Sequence, residues 1–572
     1  MKIFFNIKSA ILKYIATFKI ARIKKTNYFF VIFLTILTVF LDTIGIGILL
    51  PIGEYILNYE SGKLPDTYSW KILKKVFLTL GIKPDITLLV IFAIIIITLR
   101  QVIVFFRALI IDTIRYKAVK DFRARLFEKF LKQDLYFSKK YNTGLYNNTI
   151  NLEADNVGKA IVLPLQNISG LILIFSYLSL MMVATVKGTL IVIICMIFIG
   201  LFLKNILYKI QKIAGNIIKI NNKFSQNLVD RLIAIRLIRV NNKTKREEKN
   251  NKEILQEQFV NNIKLTKIQR LIDSAIEPVL IMVTIPVIVI AVELGFSLAK
   301  LGVFVILLAR FIPVFKVTVV SMQGHFSYYA SIKNMLTLLD TLNNQKEIRQ
   351  GKMEAPKYIK QIKFHNIYFG YDQIKSAILN NFSCSIEGKK VNAIIGDSGV
   401  GKTTLVNMIP RLLEPTKGEI FINNLNIKKI NVSSLRNICS YIEQKPSFIR
   451  GSIIKHIAYN NLRVNKTKVL ESAKLANAHK FIMGLKNNYN HKLGESGVGL
   501  SGGQLQRLDI ARGISSGKPL MILDEPTSNL DKKNTLELLL TLRKINELKK
   551  TTIIIVSHDN NVLKFCDNII KM

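Results

Sequence analysis

Six apolar stretches, near residues 28–51, 86–111, 160–186, 188–208, 272–296 and 299–322, are each long enough to cross a hydrocarbon core of about 30 Å as a helix. A bilayer leaves a lone apolar segment no other choice, because every backbone N–H and C=O must be satisfied within it. Residues 28–345 therefore read as a six-helix membrane domain. At 50% hydrophobic residues and a mean hydropathy of +0.29, the chain is also too apolar for an ordinary soluble enzyme. Residues 1–27 carry Lys2, Lys8, Lys13, Lys19, Arg22, Lys24 and Lys25 among isoleucines and phenylalanines. They lack the compact apolar core and small-residue cleavage site of a signal peptide, so they read as a basic amphipathic helix on the cytoplasmic face of the membrane lipid.

Charge in the connections sets the orientation. The stretches 112–140 and 209–270 are dense in Lys and Arg, whereas those at 186–188 and 293–300 are short; long basic loops belong on the cytoplasmic side, which puts both chain ends there. The connection 52–85 is also basic although it falls outside. Within it, SWKILKKVFLTLG (69–81) sets Trp70, Leu73, Val76, Phe77 and Leu80 opposite Lys71, Lys74 and Lys75, the pattern of a helix lying on the outer surface.

Charges also interrupt the spans. Arg100 and Arg107 lie seven residues apart on one face of the second, and Arg310 and Lys316 fall in the sixth. A buried cation costs several kcal/mol unless paired or wetted, so these residues either line a wet path or pair with Asp42, Asp112, Asp273 or Glu277. Arg107 and Arg310 are the candidates for contact with an anionic substrate.

After LLDTLNNQKEIRQGKMEAP, whose last part (346–356) is a polar linker, residues 357–572 switch to short apolar strands alternating with helices, the mark of an α/β domain. VNAIIGDSGVGKTTL (391–405) is strand, phosphate loop and helix. In it Gly396, Asp397, Ser398, Gly399, Val400 and Gly401 wrap phosphate with backbone N–H groups, Lys402 reaches the β- and γ-phosphates, and Thr403 with Thr404 opens the helix, the former offering its hydroxyl to Mg²⁺. PLMILDEPTSNLD (519–531) delivers Asp524 for Mg²⁺ and Glu525 to orient and polarise the attacking water. TTIIIVSHD (551–559) ends a third buried strand at His558, which is either structural or a γ-phosphate contact. Cys195, Cys384, Cys439 and Cys566 form no CxxC pair, which argues for reduced thiols over disulfides or zinc.

GDSGVGKTT, Gln444 in YIEQKPSF, LSGGQ, LDEPTSNLD and SHD occur in that order, and the sequence resembles the ATP-binding cassette family. The resemblance implies that ATP and Mg²⁺ are the cofactors, that Tyr371 in FGYD stacks on adenine, and that Gln444 senses the γ-phosphate and the metal. It also implies that Asp531 communicates across a dimer. The pattern departs from the family where LQRLD follows the signature in place of the usual RQRIA. A helix start at Ser501, Gly502, Gly503 and Gln504 is itself an anion site, yet the chain's own phosphate loop already serves one nucleotide. In the family the signature closes on ATP held by the opposite cassette, so one cassette per chain implies a second half-transporter chain, in the simplest case a homodimer.

The membrane half resembles the exporter branch, with 136–157 and 227–248 similar to its two intracellular loops and the inner membrane of a bacterium as the expected location. FLDTIGIGILLPI, FFRALI, ARFIPVF and the outer helix are similar to segments of bacterial flippases for lipid-linked oligosaccharides, which implies an amphipathic anionic substrate met by Arg107 and Arg310. Exporters of other lipids, drugs or peptides are the alternatives. The net charge of +43 would also suit nucleic acid, but soluble nucleic-acid-associated members of the family lack membrane spans. A non-transporting regulatory channel is disfavoured by the intact Glu525 and His558.

Overall fold

A computed structural model describes residues 25–58, 86–133, 143–293, 298–343, 348, 350–371, 378–459, 463–494, 499–528 and 532–572. The expected basic helix at 1–27, except its last three residues, the outer helix at 69–81, residues 136–142 and Asp531 lie outside them. The chain divides into two compact units, with the main boundary between residues 344 and 345.

The first unit is built from α1 (Lys25–Asn58), α2 (Ile86–Leu131), α3 (Ala154–Ala184), α4 (Val186–Ile233), α5 (Thr244–Glu293) and α6 (Leu298–Asn343). Among the described residues, five helices are long and apolar enough to cross a membrane, within 26–45, 87–131, 144–182, 186–233 and 304–342. The remaining expected span, 272–296, begins on α5 and runs past its end. Phe105, Phe175 and Phe198 face outward with more than half of their surface exposed, the reverse of a soluble domain and suited to lipid. Inside, Tyr177, Met181, Phe304, Leu307 and Phe311 pack α3 against α6. Gly170 lets those two helices touch, since a Cβ there would sit 2.1 Å from the Thr318 hydroxyl.

The structure corrects one expectation. The basic stretches 112–131 and 209–270 are not loops but helix, continuing α2, α4 and α5 well beyond any hydrocarbon thickness. They contain no proline, and i,i+4 pairs such as Lys252 with Glu248 at 2.7 Å favour helix as readily as water favours their charges. The break falls after a single turn, Ile235–Val240, where Asn242 takes a left-handed φ of 51°.

The second unit holds β1 (Gln361–Phe369), β2 (Leu379–Glu387), β3 (Val391–Ile395), α7 (Lys402–Met408), β4 (Lys417–Ile422), β5 (Leu425–Asn426), β6 (Cys439–Ile442), β7 (Gly451–Ser452), β8 (Lys492–Leu493), α8 (Gly502–Ser516), β9 (Leu520–Asp524), α9 (Lys532–Lys549), β10 (Thr552–Ser557) and β11 (Asn568–Lys571). An antiparallel sheet runs β2-β1-β4-β5, and a parallel sheet runs β11-β3-β10-β9-β6. The parallel sheet is covered on both faces, as its uninterrupted apolar strands require. Along β9, Leu520 and Ile522 enter one core while Met521 and Leu523 enter the other; on β10, Ile554 and Val556 alternate with Ile553 and Ile555. Ile395 pairs with Ser557 and Asp524 with Val556, so β3, β9 and β10 end level. The segments leaving them emerge at one edge, where ligands of open α/β sheets bind.

Candidate functional site

At that edge the loop after β3 turns through Gly399 (φ 87°) and Gly401 (φ 107°). Both angles lie where a Cβ strains the chain. Gly401 has a second reason to be glycine, because a Cβ would meet Ile378 at 2.9 Å. Lys402 opens α7 nearly buried, and its Nζ donates to the carbonyls of Gly396 at 2.7 Å and Asp397 at 2.9 Å. The ammonium is thus folded back over the loop whose N–H groups suit phosphate, where incoming phosphate oxygens compete with the two carbonyls. Ser398 and Val400 complete the turn, Val400 N donating to Asp397 O at 3.4 Å.

Thr403 Oγ1 donates to Asp524 Oδ1 at 2.9 Å, and Tyr441 OH, on β6, donates to Asp524 Oδ2 at 3.2 Å. Burial holds the Asp524 carboxyl above the usual carboxylate range, although both hydroxyls favour the ion. A raised folded value means that this group's contribution to stability is full below the unfolded carboxylate range and is lost as pH rises through the folded value. Asp524→Asn is accordingly expected to raise the melting temperature of the nucleotide-free protein at pH 7. Thermal unfolding across pH checks this; a lower melting temperature than the parent's at neutral pH would contradict it.

Glu525 follows directly. Its backbone N donates to Val556 O at 2.9 Å, and its φ of 47° is a strained, left-handed value for a glutamate, of the kind that collects at functional sites. Gln444 Nε2 donates to Glu525 Oε2 at 2.6 Å, and His558 Nδ1 stands 3.6 Å from Oε1. Tyr371 lies at the end of the antiparallel sheet with its ring edge-on to Phe369 at 5.0 Å and its hydroxyl 3.1 Å from Thr404 Oγ1. The structure therefore gathers Lys402, Thr403, Thr404, Tyr371, Gln444, Asp524, Glu525 and His558. Tyr441 is the member that sequence reasoning passed over. A tyrosine on a buried strand needs a partner for its hydroxyl, and that was the available signal.

The signature stands apart. Ser501 caps α8: its Oγ accepts from Gln504 N at 3.3 Å, while Gln504 Oε1 accepts from Ser501 N at 2.9 Å. Gly502 is exposed with open space where a Cβ would be, and Gly503 follows it. The side-chain carbonyl of Gln504 thereby completes the capping box that fixes this helix start.

In the membrane unit, Arg100 forms an ion pair with Asp42, and Tyr177 OH donates to Asp42 Oδ2 at 2.9 Å. Arg107 interacts electrostatically with Asp42 and Arg100, and Arg310 with Tyr177. Lys316 pairs with Glu277 at 3.0 Å. Arg107 Nη1 is buried with no hydrogen-bond partner among the described residues.

Comparison with known proteins agrees with this geometry. Residues 28–315, half of the chain, match the ABC transporter transmembrane region, and residues 379–528 match the ABC transporter domain. An ATP-dependent lipid A-core flippase of Syntrophus aciditrophicus is 34% identical over 224 residues, which are 39% of this chain and 37% of that protein. One from Coxiella burnetii is 27% identical over 470 residues, covering 80% of this chain and 77% of the relative. A bacterial Atm1-family ABC exporter, solved with ATP bound, shares the fold with a TM-score of 0.78 at 19% identity, over 96% of this chain and 93% of that one. The chain belongs to the ABC transporter family: it is a multi-pass membrane protein whose cassette couples ATP hydrolysis to transport.

Proposed function

We propose that the chain forms a homodimeric exporter of the bacterial inner membrane that flips an amphipathic anion, a lipid-linked oligosaccharide. The observation that supports this substrate is the gathering of Arg100 and Arg107 around one carboxylate, Asp42, with Arg310 beside Tyr177, whose hydroxyl donates to that carboxylate, which leaves an excess of positive charge inside a membrane unit. Arg100 is already held by Asp42. Arg107 and Arg310 remain for a phosphate group, which a planar guanidinium binds bidentately. Two of the relatives above are ATP-dependent lipid A-core flippases by name.

In the cassette, Lys402 and the loop N–H groups hold the β- and γ-phosphates and Tyr371 takes the adenine. Thr403, Asp524 and Gln444 are hard oxygen donors of the kind Mg²⁺ accepts together with phosphate. When bound, the metal neutralises charge on the transferred phosphoryl group. Glu525 orients and polarises the attacking water, with Gln444 and His558 fixing its carboxylate. Ser501, Gly503 and the start of α8 close on ATP held by the second copy, and Asp531 links the two sites. Closure of the cassettes turns the membrane cavity outward, and hydrolysis reopens it.

The test is ATPase stimulation in liposomes by a polyprenyl-pyrophosphate oligosaccharide, a lipid A-type glycolipid and an unfolded peptide. The oligosaccharide is expected to stimulate most. Arg107→Ala or Arg310→Ala should raise the concentration needed for half-maximal stimulation about 10-fold or more, since a hydrogen bond to a charged group is lost. Stimulation by the glycolipid or peptide alone, or an unchanged response in both variants, would reassign the substrate.

A further inference from the structure

Asp509, where the signature helix departs from the usual family pattern, is fully buried on α8. A carboxylate taken out of water needs a cation and donors around it. Arg512 supplies both, with Nη2 2.9 Å from Asp509 Oδ1 and 3.0 Å from Oδ2. The same nitrogen donates to the backbone carbonyl of Tyr441 at 3.2 Å, and the Tyr441 hydroxyl is the group that donates to Asp524. On the far side, His456 Nε2 stands 3.4 Å from Asp509 Oδ1, its ring against Phe448 at 4.5 Å in the segment that follows Gln444. Gln506, on the same helix, donates to the carbonyl of Pro526, next to Glu525. An unbroken set of polar contacts thus runs from the metal-binding carboxylate of one ATP site to the helix whose start serves the other. A small apolar residue at position 509 would pack there without making any of these contacts.

We propose that Asp509 is a positioning residue: through Arg512 and Tyr441 it holds the signature helix in register with Asp524, so the half-site lent to the second chain and the metal site kept by the first move together. The proposal rests on the two-chain reading above. It adds a route between the sites that runs inside each chain, where Asp531 would act across the two. Tyr441 is anchored at both ends, by its hydroxyl and by its carbonyl. Displacement of Arg512 therefore reaches Asp524 with little slack.

Mixed dimers of two differently tagged chains test it, one carrying Glu525→Gln so that single-turnover hydrolysis reports only the other chain's site. Asp509→Ala on the Gln-bearing chain alters the signature that serves the active site. On the active chain it leaves that signature intact and acts only by way of Tyr441 and Asp524. Either placement is expected to slow hydrolysis about 5-fold or more, and the second to raise the Mg²⁺ concentration for half-maximal rate about 10-fold, as loss of an outer support of a metal ligand does. Asp509→Asn, which keeps a carbonyl for Arg512, should recover much of both. If the alanine variant fails to fold, Arg512→Lys carries the same readouts, since it keeps the charge but replaces the planar guanidinium that places Nη2 between the two partners with an ammonium of different reach. An unchanged rate and Mg²⁺ dependence with the substitution on the active chain overturns the proposal, even where melting temperature falls. Ser501→Arg on the Gln-bearing chain separates the two readings. Hydrolysis that survives it defeats the two-chain arrangement, whereas hydrolysis lost with it but normal with Asp509→Ala defeats only the role of Asp509.

Discussion

Glu525→Gln lowers ATP turnover by about 10²- to 10³-fold while ATP remains bound, the range expected when a positioned carboxylate no longer assists proton transfer. The substitution is close to isosteric. Glu525 Oε2 now accepts from Gln444 Nε2 at 2.6 Å, and a glutamine carbonyl in the same place can accept as well, so the geometry persists while the basicity goes. His558, 3.6 Å from the other oxygen, is too distant to replace it without moving. Nucleotide binding by the phosphate loop and Lys402 is untouched, so the variant should accumulate trapped ATP rather than lose affinity. Steady-state phosphate release and retention of labelled ATP after rapid gel filtration measure the two quantities. Turnover comparable to that of the parent would remove Glu525 from the chemistry.

Lys402→Ala weakens ATP binding about 10- to 150-fold, the equivalent of a charge-assisted hydrogen bond worth about 1.5–3 kcal/mol. The same change affects the loop itself. Lys402 Nζ ties the carbonyls of Gly396 and Asp397, and without it the turn through two left-handed glycines loses its only side-chain clasp among the described contacts. Titration with a slowly hydrolysed ATP analogue gives the affinity, and ATPase at saturating nucleotide gives the residual rate. Both should fall. An affinity within twofold of the parent's would mean that Lys402 serves the loop and not the phosphates.

These two variants concern residues that the sequence displays openly. Asp524, Glu525 and His558 sit at or just past the ends of apolar strands of five and six residues, Lys402 and Thr403 follow the loop that leaves a third, and a parallel sheet with level strand ends makes their convergence unavoidable. Tyr441 was hidden because its contribution is a hydroxyl that crosses to a neighbouring strand, a pairing set by sheet order and not by spacing along the chain. Helix in the long basic stretches was legible but masked by charge: Ile114, Ala118, Phe122 and Leu126, like Ile210, Ala214 and Ile218, recur at helical spacing and are buried, and the lysines and asparagines between them drew the reading toward loops. The charges inside the spans were legible as a problem but not as a solution: spacing put Arg100 and Arg107 on one face, whereas the three-dimensional packing chose Arg100 as the partner of Asp42. Ser501 and Gln504 showed a capping box in the letters themselves, three residues apart, yet reading the motif as a nucleotide contact obscured its local task.

The length of the helices has a mechanical side. At a rise of about 1.5 Å per residue, α4 with its 48 residues and α5 with its 50 are each about 70 Å long, more than twice the hydrocarbon core. About half of each is therefore a lever projecting into water, and a tilt of 10° at the membrane sweeps its far end through roughly 6 Å by this geometry. A helix transmits such a tilt only where it does not bend. Pro278 and Pro286 on α5 and Pro313 on α6 remove backbone hydrogen bonds, whereas α4 contains no proline along its whole length. The proline-free α2 and α4 are therefore the straighter levers, and bending is concentrated in α5 and α6, close to Asp273, Glu277, Arg310 and Lys316.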